Sequence, residues 1–245
     1  CGRGCITASN YSSSQVDIFP AMKTGNLNVI CNAMVRELIT DDEGLVKAIS
    51  YIDTETREER QIRCRVSVVA ASACESARLL LNSKSPRHPN GLANSSGVVA
   101  RYLMDSVGRD MTGYVPSLEG MPHYDSDGMG GGHLYIPWWG LDNKKKDFPR
   151  GYHVEIGGGY GIPQVGSSYG TCARTEGYGK GLKAAVRREY GCYVGLSGRG
   201  EMIPNEKSFC DIDPKVVDRW GIPVLRFHFQ WSEHELKQAK HMQQT

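Results

Sequence analysis

Seven histidines and eight cysteines are the residues of this chain best suited to acid–base, metal or redox work, so their spacing decides which chemistry is open. His88, His123, His133, His153, His228, His234 and His241 form no ligand cluster by spacing. In "HELKQAKH" the two histidines stand seven residues apart, whereas a zinc-binding HExxH helix needs them at i and i+4. His228 draws most attention, because it shares a strand face with Arg226; a hydrogen-bonded face residue is the plainer reading. Cys1 and Cys5 in "CGRGC" have no second pair nearby, and Cys31, Cys64, Cys74, Cys172, Cys192 and Cys210 are scattered. That is the pattern of buried thiols, and no metal site is expected. "GLSGR" (195–199) misses the GxSxG nucleophile elbow, because Arg199 occupies the last glycine position. "GKGLKA" (179–184) has GxGxxA spacing but no apolar strand before it, so it does not read as a dinucleotide fingerprint.

One further stretch bears on ligand chemistry: "SVVAASACESARLLLNS" (67–83). An apolar run from Val66 to Val69 meets Ala70, Ala71, Ser72 and Ala73, and a helical pattern follows to Asn82. Small side chains at a strand–helix junction have two readings. Either the helix packs closely on the strand, or a ligand touches the backbone there.

The elements that must position these residues follow from the hydrophobic pattern. "LNVICNAMVRELIT" (27–40), "LVKAISYID" (45–53) and "RQIRCRVSVVAA" (60–71) read as strands joined by the polar turns "DDEG" and "TETREE", an antiparallel meander. The apolar end of the third strand is expected to enter the core of a larger sheet, ahead of a helix over 75–82. "SGVVARYLMD" reads as a short turn that packs back. From about residue 108 the composition shifts to glycine, tyrosine and tryptophan with short strands such as "GYHVEIGG" (151–158). "GIPVLRFHFQW" (221–231) alternates and predicts a strand with a half-buried aromatic face, Leu225, Phe227, Phe229 and Trp231. Ser232 and Glu235 fit a capping box for the helix after it.

Bulk properties exclude several classes. The chain has 245 residues, 40% hydrophobic and 23% charged, and a formal charge of +2, which gives no electrostatic case for nucleic acid. No apolar run approaches the roughly 18 residues of a membrane span. The chain opens on Cys1 without a signal-peptide pattern, and it stops inside a helical pattern. It reads as an internal segment of a longer protein, with a processed subunit as the alternative. The compartment stays open between cytoplasm and periplasm.

Several blocks together resemble the glucose–methanol–choline (GMC) family of FAD-dependent oxidoreductases, in its bacterial gluconate-dehydrogenase-like branch. They are "SNYSSSQVDIFPAMKTGNLNVICNAMV", "VVAASACESARLLLNS", "GLANSSGVVARYLMDS" and "DPKVVDRWGIPVLRFHFQWSEHE", in the family's order. The match is weakest between 109 and 205. Ser72 and Ala100 stand where the family has glycine, and Ser106 stands where many members have histidine.

The resemblance implies an α/β (α+β) fold that is part of the GMC flavoprotein fold. Residues 1–108 would be the middle of the FAD-binding domain, its meander and strand–helix, without the N-terminal GxGxxG unit. Residues 109–245 would be the substrate-binding domain, a mostly antiparallel sheet, without the C-terminal catalytic block. It further implies that Val35 meets the adenine of FAD through its backbone, and that Ala70, Ala71 and Ser72 approach the dinucleotide. The catalytic histidine would lie beyond Thr245, so none of the histidines above would be the base. The implied activity is oxidation of a CH–OH group of an alcohol, sugar or sugar acid by hydride transfer to flavin, with oxygen, a quinone or a cytochrome partner as electron acceptor. The alternative is a non-catalytic carbohydrate-binding or accessory protein that uses the Trp138–Trp139 pair as its surface.

Overall fold

The computed structural model describes residues 11–122, 134–139, 147–158 and 178–245, apart from the side chains at 138 and 139. The "CGRGC" pair, His123, His133, the glycine run at 128–133 and the Trp138–Trp139 side chains lie outside the described residues. The fold is α+β, and every described strand pairing is antiparallel. Among the described residues, no helix is long and apolar enough to cross a membrane.

Two compact units share the chain. One comprises residues 28–104 and 203–230, the other residues 1–27, 105–202 and 231–245.

In the first unit, β1 (Ala33–Thr40), β2 (Val46–Asp53) and β3 (Glu59–Arg63) form a three-stranded sheet in sequence order, the expected meander. Its turns are fixed by aspartates that accept from amides two to four residues on. The Asp41 carboxylate accepts from Glu43 N (3.0 Å) and Leu45 N (2.8 Å), and that of Asp53 accepts from Glu55 N (3.0 Å) and Thr56 N (3.1 Å). Leu38, Ala48, Tyr51 and Ile52 are buried, so β2 carries most of the core face.

The third strand corrects the sequence reading. It ends at Arg63, and the segment that follows belongs to no strand. Val66 is 79% exposed and Val68 85% exposed. Among the described residues no strand pairs with this segment, and only Val69 of its three valines is partly buried.

A short helix, α1 (Phe19–Lys23), precedes β1 in the chain, and the helix after the 64–71 segment, α2 (Ser72–Asn82), packs on β1 and on the hairpin of β8 (Phe209–Val217) and β9 (Pro223–His228). The "SGVVARYLMD" stretch packs back as expected. Cys210 donates its amide to Ala100 O (2.8 Å), and Leu103 donates to Ser208 O (2.8 Å). Of the expected half-buried face, Leu225 and Trp231 are partly buried, whereas Phe227 and Phe229 are exposed. The hairpin has only two strands, and burial on it concentrates at Cys210 and Ile222.

In the second unit, β4 (Val107–Tyr114), β7 (Tyr193–Gly200), β6 (Tyr152–Gly158) and β5 (Leu134–Trp139) make one sheet in that spatial order. Helix α3 (Gly179–Glu189) precedes β7, so "GKGLKA" is the first part of a helix and "GLSGR" is strand, not elbow. Helix α4 (Glu233–Gln244) lies against β4 and β7. It starts with the expected capping box: Ser232 Oγ accepts from His234 N (3.2 Å), and Glu235 accepts from Ser232 N (2.7 Å). Close approach requires glycine on β7. A Cβ on Gly200 would sit 2.1 Å from Gln238 Oε1, and one on Gly198 would sit 2.9 Å from Met242 Sδ. Val107, Met202 and Ala239 form the core there, with Trp231 and Met242 against them.

Candidate functional site

Val35 sits on β1 opposite Tyr51. Between Val35 and Glu37 the register slips, because Arg36 is an extra residue with no partner of its own on β2. Such a bulge bends a strand and frees backbone groups from the ladder. β1 is also an edge of its sheet, so one row of its amides and carbonyls is outside the ladder. The Val35 side chain is 40% exposed, which is not the environment of a core valine.

Ala70, Ala71, Ser72 and Ala73 are all exposed. Among the described residues, these side chains line no tight helix–strand contact. Ser72 has φ +65°, a left-handed conformation that costs an L-residue roughly 1–2 kcal/mol and costs glycine nothing. Ala71, in the cap position of α2, provides no side-chain cap. Its own amide donates to Ser76 Oγ (3.2 Å), while the first amides of α2 have no side-chain acceptor from the cap. An uncapped helix start bordered by small side chains leaves donors and room for an oxygen-rich group.

Ala100 also has a left-handed φ, +64°. Thus Ser72 and Ala100, the two positions where the resemblance places glycine, both have the backbone geometry that glycine favours.

Val35 and the 70–72 turn lie on elements that pack on each other within one unit. Ser83, just past the end of α2, accepts from Leu38 N (2.8 Å) and donates to Leu79 O (2.6 Å), which pins helix to strand. The opposite side of α2 is held by Arg78, a buried guanidinium. It donates to Asp218 Oδ2 (2.7 Å), Ile222 O (3.0 Å), Pro223 O (2.7 Å) and Glu75 Oε2 (3.2 Å). Asp218 also accepts from Trp220 N (2.8 Å) and Ile222 N (3.0 Å). Burial pushes the Asp218 carboxyl up, but the hydrogen bonds from Arg78 and the two amides outweigh it and hold the group below its ordinary value. The sequence reading assigns Arg78 no role. Its only local signal is a cation inside the apolar run "ARLLLN".

Three of the described histidines have structural partners. His228 stacks on Phe209 (centroids 4.2 Å apart) and lies 3.4 Å from Asp211, which Arg226 holds with two hydrogen bonds of 2.9 and 2.7 Å. Those bonds from Arg226 keep the Asp211 carboxyl below its ordinary value. His241 Nδ1 lies 2.7 Å from the hydroxyl of fully buried Tyr152, and His153 is 3.2 Å from Glu155. Among the described residues, no group of three or more histidines, cysteines or carboxylates is placed to hold a metal ion.

No family model matches the chain. It is similar to a 2-methyl-1,2-propanediol dehydrogenase of Mycolicibacterium austroafricanum, 30% identical over 81% of this chain and 35% of that protein. It is also similar to the fructose dehydrogenase large subunit of Gluconobacter japonicus, 26% identical over 98% of this chain and 43% of the relative. The gluconate 2-dehydrogenase flavoprotein of Pantoea cypripedii is 24% identical over 98% of this chain and 39% of its own length. The chain therefore spans between a third and a half of the length of these relatives.

Proposed function

We propose that this chain is part of a flavin-dependent oxidoreductase of the GMC type that acts on the CH–OH group of an alcohol, sugar or sugar acid. The observation that carries this reading is the left-handed backbone at Ser72 and Ala100. Seven described non-glycine residues have left-handed φ, and Ser72 and Ala100, the two at which the resembled family has glycine, are among them. The relatives support the same direction, since one is named a flavoprotein and all three are named for oxidation of a diol, a sugar or a sugar acid.

The residues present fit the adenosine side of FAD. The exposed small side chains at Ala70, Ala71 and Ser72 let a dinucleotide reach the backbone at the start of α2, where the helix dipole favours negative charge. The Val35 backbone, on an edge strand beside a bulge, would offer an amide and a carbonyl to the adenine edge. Flavin, when bound, takes up the hydride from the substrate carbon. This chain's part is to bind and orient the cofactor, while the proton of the substrate hydroxyl goes to a base outside the segment. A quinone or a cytochrome is the electron-acceptor partner in this reading.

The experiment is a visible spectrum of the purified intact protein, followed by substrate-dependent bleaching with a panel of diols, sugars and sugar acids under anaerobic conditions. Flavin absorbance that bleaches with one of them supports the proposal; a colourless, folded protein that binds sugar without redox activity supports the accessory-protein reading instead.

A further inference from the structure

The start of α2 is poorly held by its own surroundings. Residues 70–73 are exposed, the cap position lacks a side-chain cap, and the helix opens on a left-handed serine. What fixes the helix lies further along. Arg78, six residues and about 9 Å of helix rise from Ser72, meets the β8–β9 hairpin through Asp218, Ile222 O and Pro223 O. A guanidinium is a planar fork, so bonds from Nε and Nη2 to three acceptors restrict both sliding and rotation of the helix that carries it. The receiving side is equally fixed. Asp218 is held by the amides of Trp220 and Ile222, and Arg57 donates to Arg219 O (2.8 Å) and stacks on Trp220 (4.0 Å).

An apolar residue at 78 would satisfy burial but give no direction. Replacing a buried ion pair with apolar groups is often neutral for stability. The pair is therefore better explained by placement than by strength.

We infer that Arg78 is a positioning residue: by fixing α2 against the 218–223 turn it sets where the Ala70–Ser72 turn meets the cofactor. This rests on the flavin reading above, and the test separates the two. The variant is R78M/D218N in the intact protein. The methionine side chain fills the volume that the guanidinium leaves, and the side-chain carbonyl introduced at position 218 still accepts from Trp220 N and Ile222 N. Neither backbone carbonyl is orphaned, because Ile222 O keeps the backbone amide of residue 218 (2.9 Å) and Pro223 O keeps Asn82 Nδ2 (3.1 Å).

The expected result has three parts: a thermal midpoint close to that of the parent, a flavin dissociation constant raised at least tenfold, and faster amide exchange in a peptide covering 69–76. R78K, which keeps the charge but not the fork, falls between. Should the double variant fail to fold, R78K against the parent carries the same comparison. Native affinity together with native exchange overturns the inference. So does an affinity loss that merely tracks the fall in midpoint across the variants. The exchange comparison is made without ligand, so it decides the positioning claim even if the parent binds no flavin, an outcome that would sink the flavin reading alone.

Discussion

Replacing Ser72 or Ala100 with glycine should stabilise the protein, although glycine ordinarily destabilises. Both residues have left-handed φ values, +65° and +64°. An L-residue gives up roughly 1–2 kcal/mol there, and glycine recovers that cost. Against this stands the greater freedom of glycine in the unfolded chain, about 0.4–1 kcal/mol. The net is a gain on the order of 0.5–1 kcal/mol per site. The sites lie 28 residues apart in the sequence and share no hydrogen bond, so the gains should add. For a chain of this size 1 kcal/mol moves the midpoint by about 2–4 °C. The control is Ala77→Gly inside α2, where the φ is ordinary and the expected cost is about 1 kcal/mol. The assay is urea denaturation of the three single variants and the S72G/A100G double variant. The sign decides the matter: if S72G and A100G lose stability as Ala77→Gly does, neither position is left-handed, and the case from glycine geometry falls with them.

Ala71→Leu should leave stability within about 0.5 kcal/mol, because the added side chain points into an exposed turn, yet weaken flavin binding severely; a thermal shift without any change in flavin affinity would assign the turn to packing. Val35→Pro removes an amide from an edge strand, where proline is tolerated, and should lower flavin occupancy in a folded protein; full occupancy would contradict the adenine contact. Gly200→Ala should cost about 1–3 kcal/mol by driving a Cβ into Gln238 and Met242, read from the denaturation midpoint. Asp211 and Asp218 have folded-state carboxyl values below the ordinary one. Their contribution is thus complete above the unfolded value of about 3.9 and is lost as pH falls through the lowered folded values. Acid titration followed by circular dichroism should show the hairpin and α2 loosening below about pH 4, and D218N should flatten that part of the profile.

Local signals in the sequence are enough for the meander, the helix that ends at Asn82 and the capping box at Ser232 and Glu235. Each is written within a few residues: aspartates and glycine in the turns, an apolar helical run, a serine three places before a glutamate. What stays hidden depends on distant partners. Arg78 finds three of its four acceptors 140 to 145 residues away, so nothing in "SARLLLN" reveals whether it faces solvent or a buried carboxylate. Val66 and Val68 read as core because they are apolar, but burial needs a neighbouring strand, and none of the described strands lies there. The left-handed positions are masked by their own side chains, since a serine and an alanine do not announce positive φ as glycine does. Likewise the alternation around Phe227 reads as strand, and strand it is, but the number of strands beside it is not encoded in its own pattern.

The central claim is that residues 70–72 and Val35 bind the adenosine side of a flavin dinucleotide. The most direct measurement is a titration of the intact protein, stripped of cofactor, with FAD and with FMN, while amide exchange is followed across peptides covering 33–40 and 67–76. The account predicts that FAD slows exchange in both peptides and that FMN, which lacks the adenosine half, protects neither. Equal protection by the two ligands, or FAD binding that leaves both peptides unchanged, would contradict it.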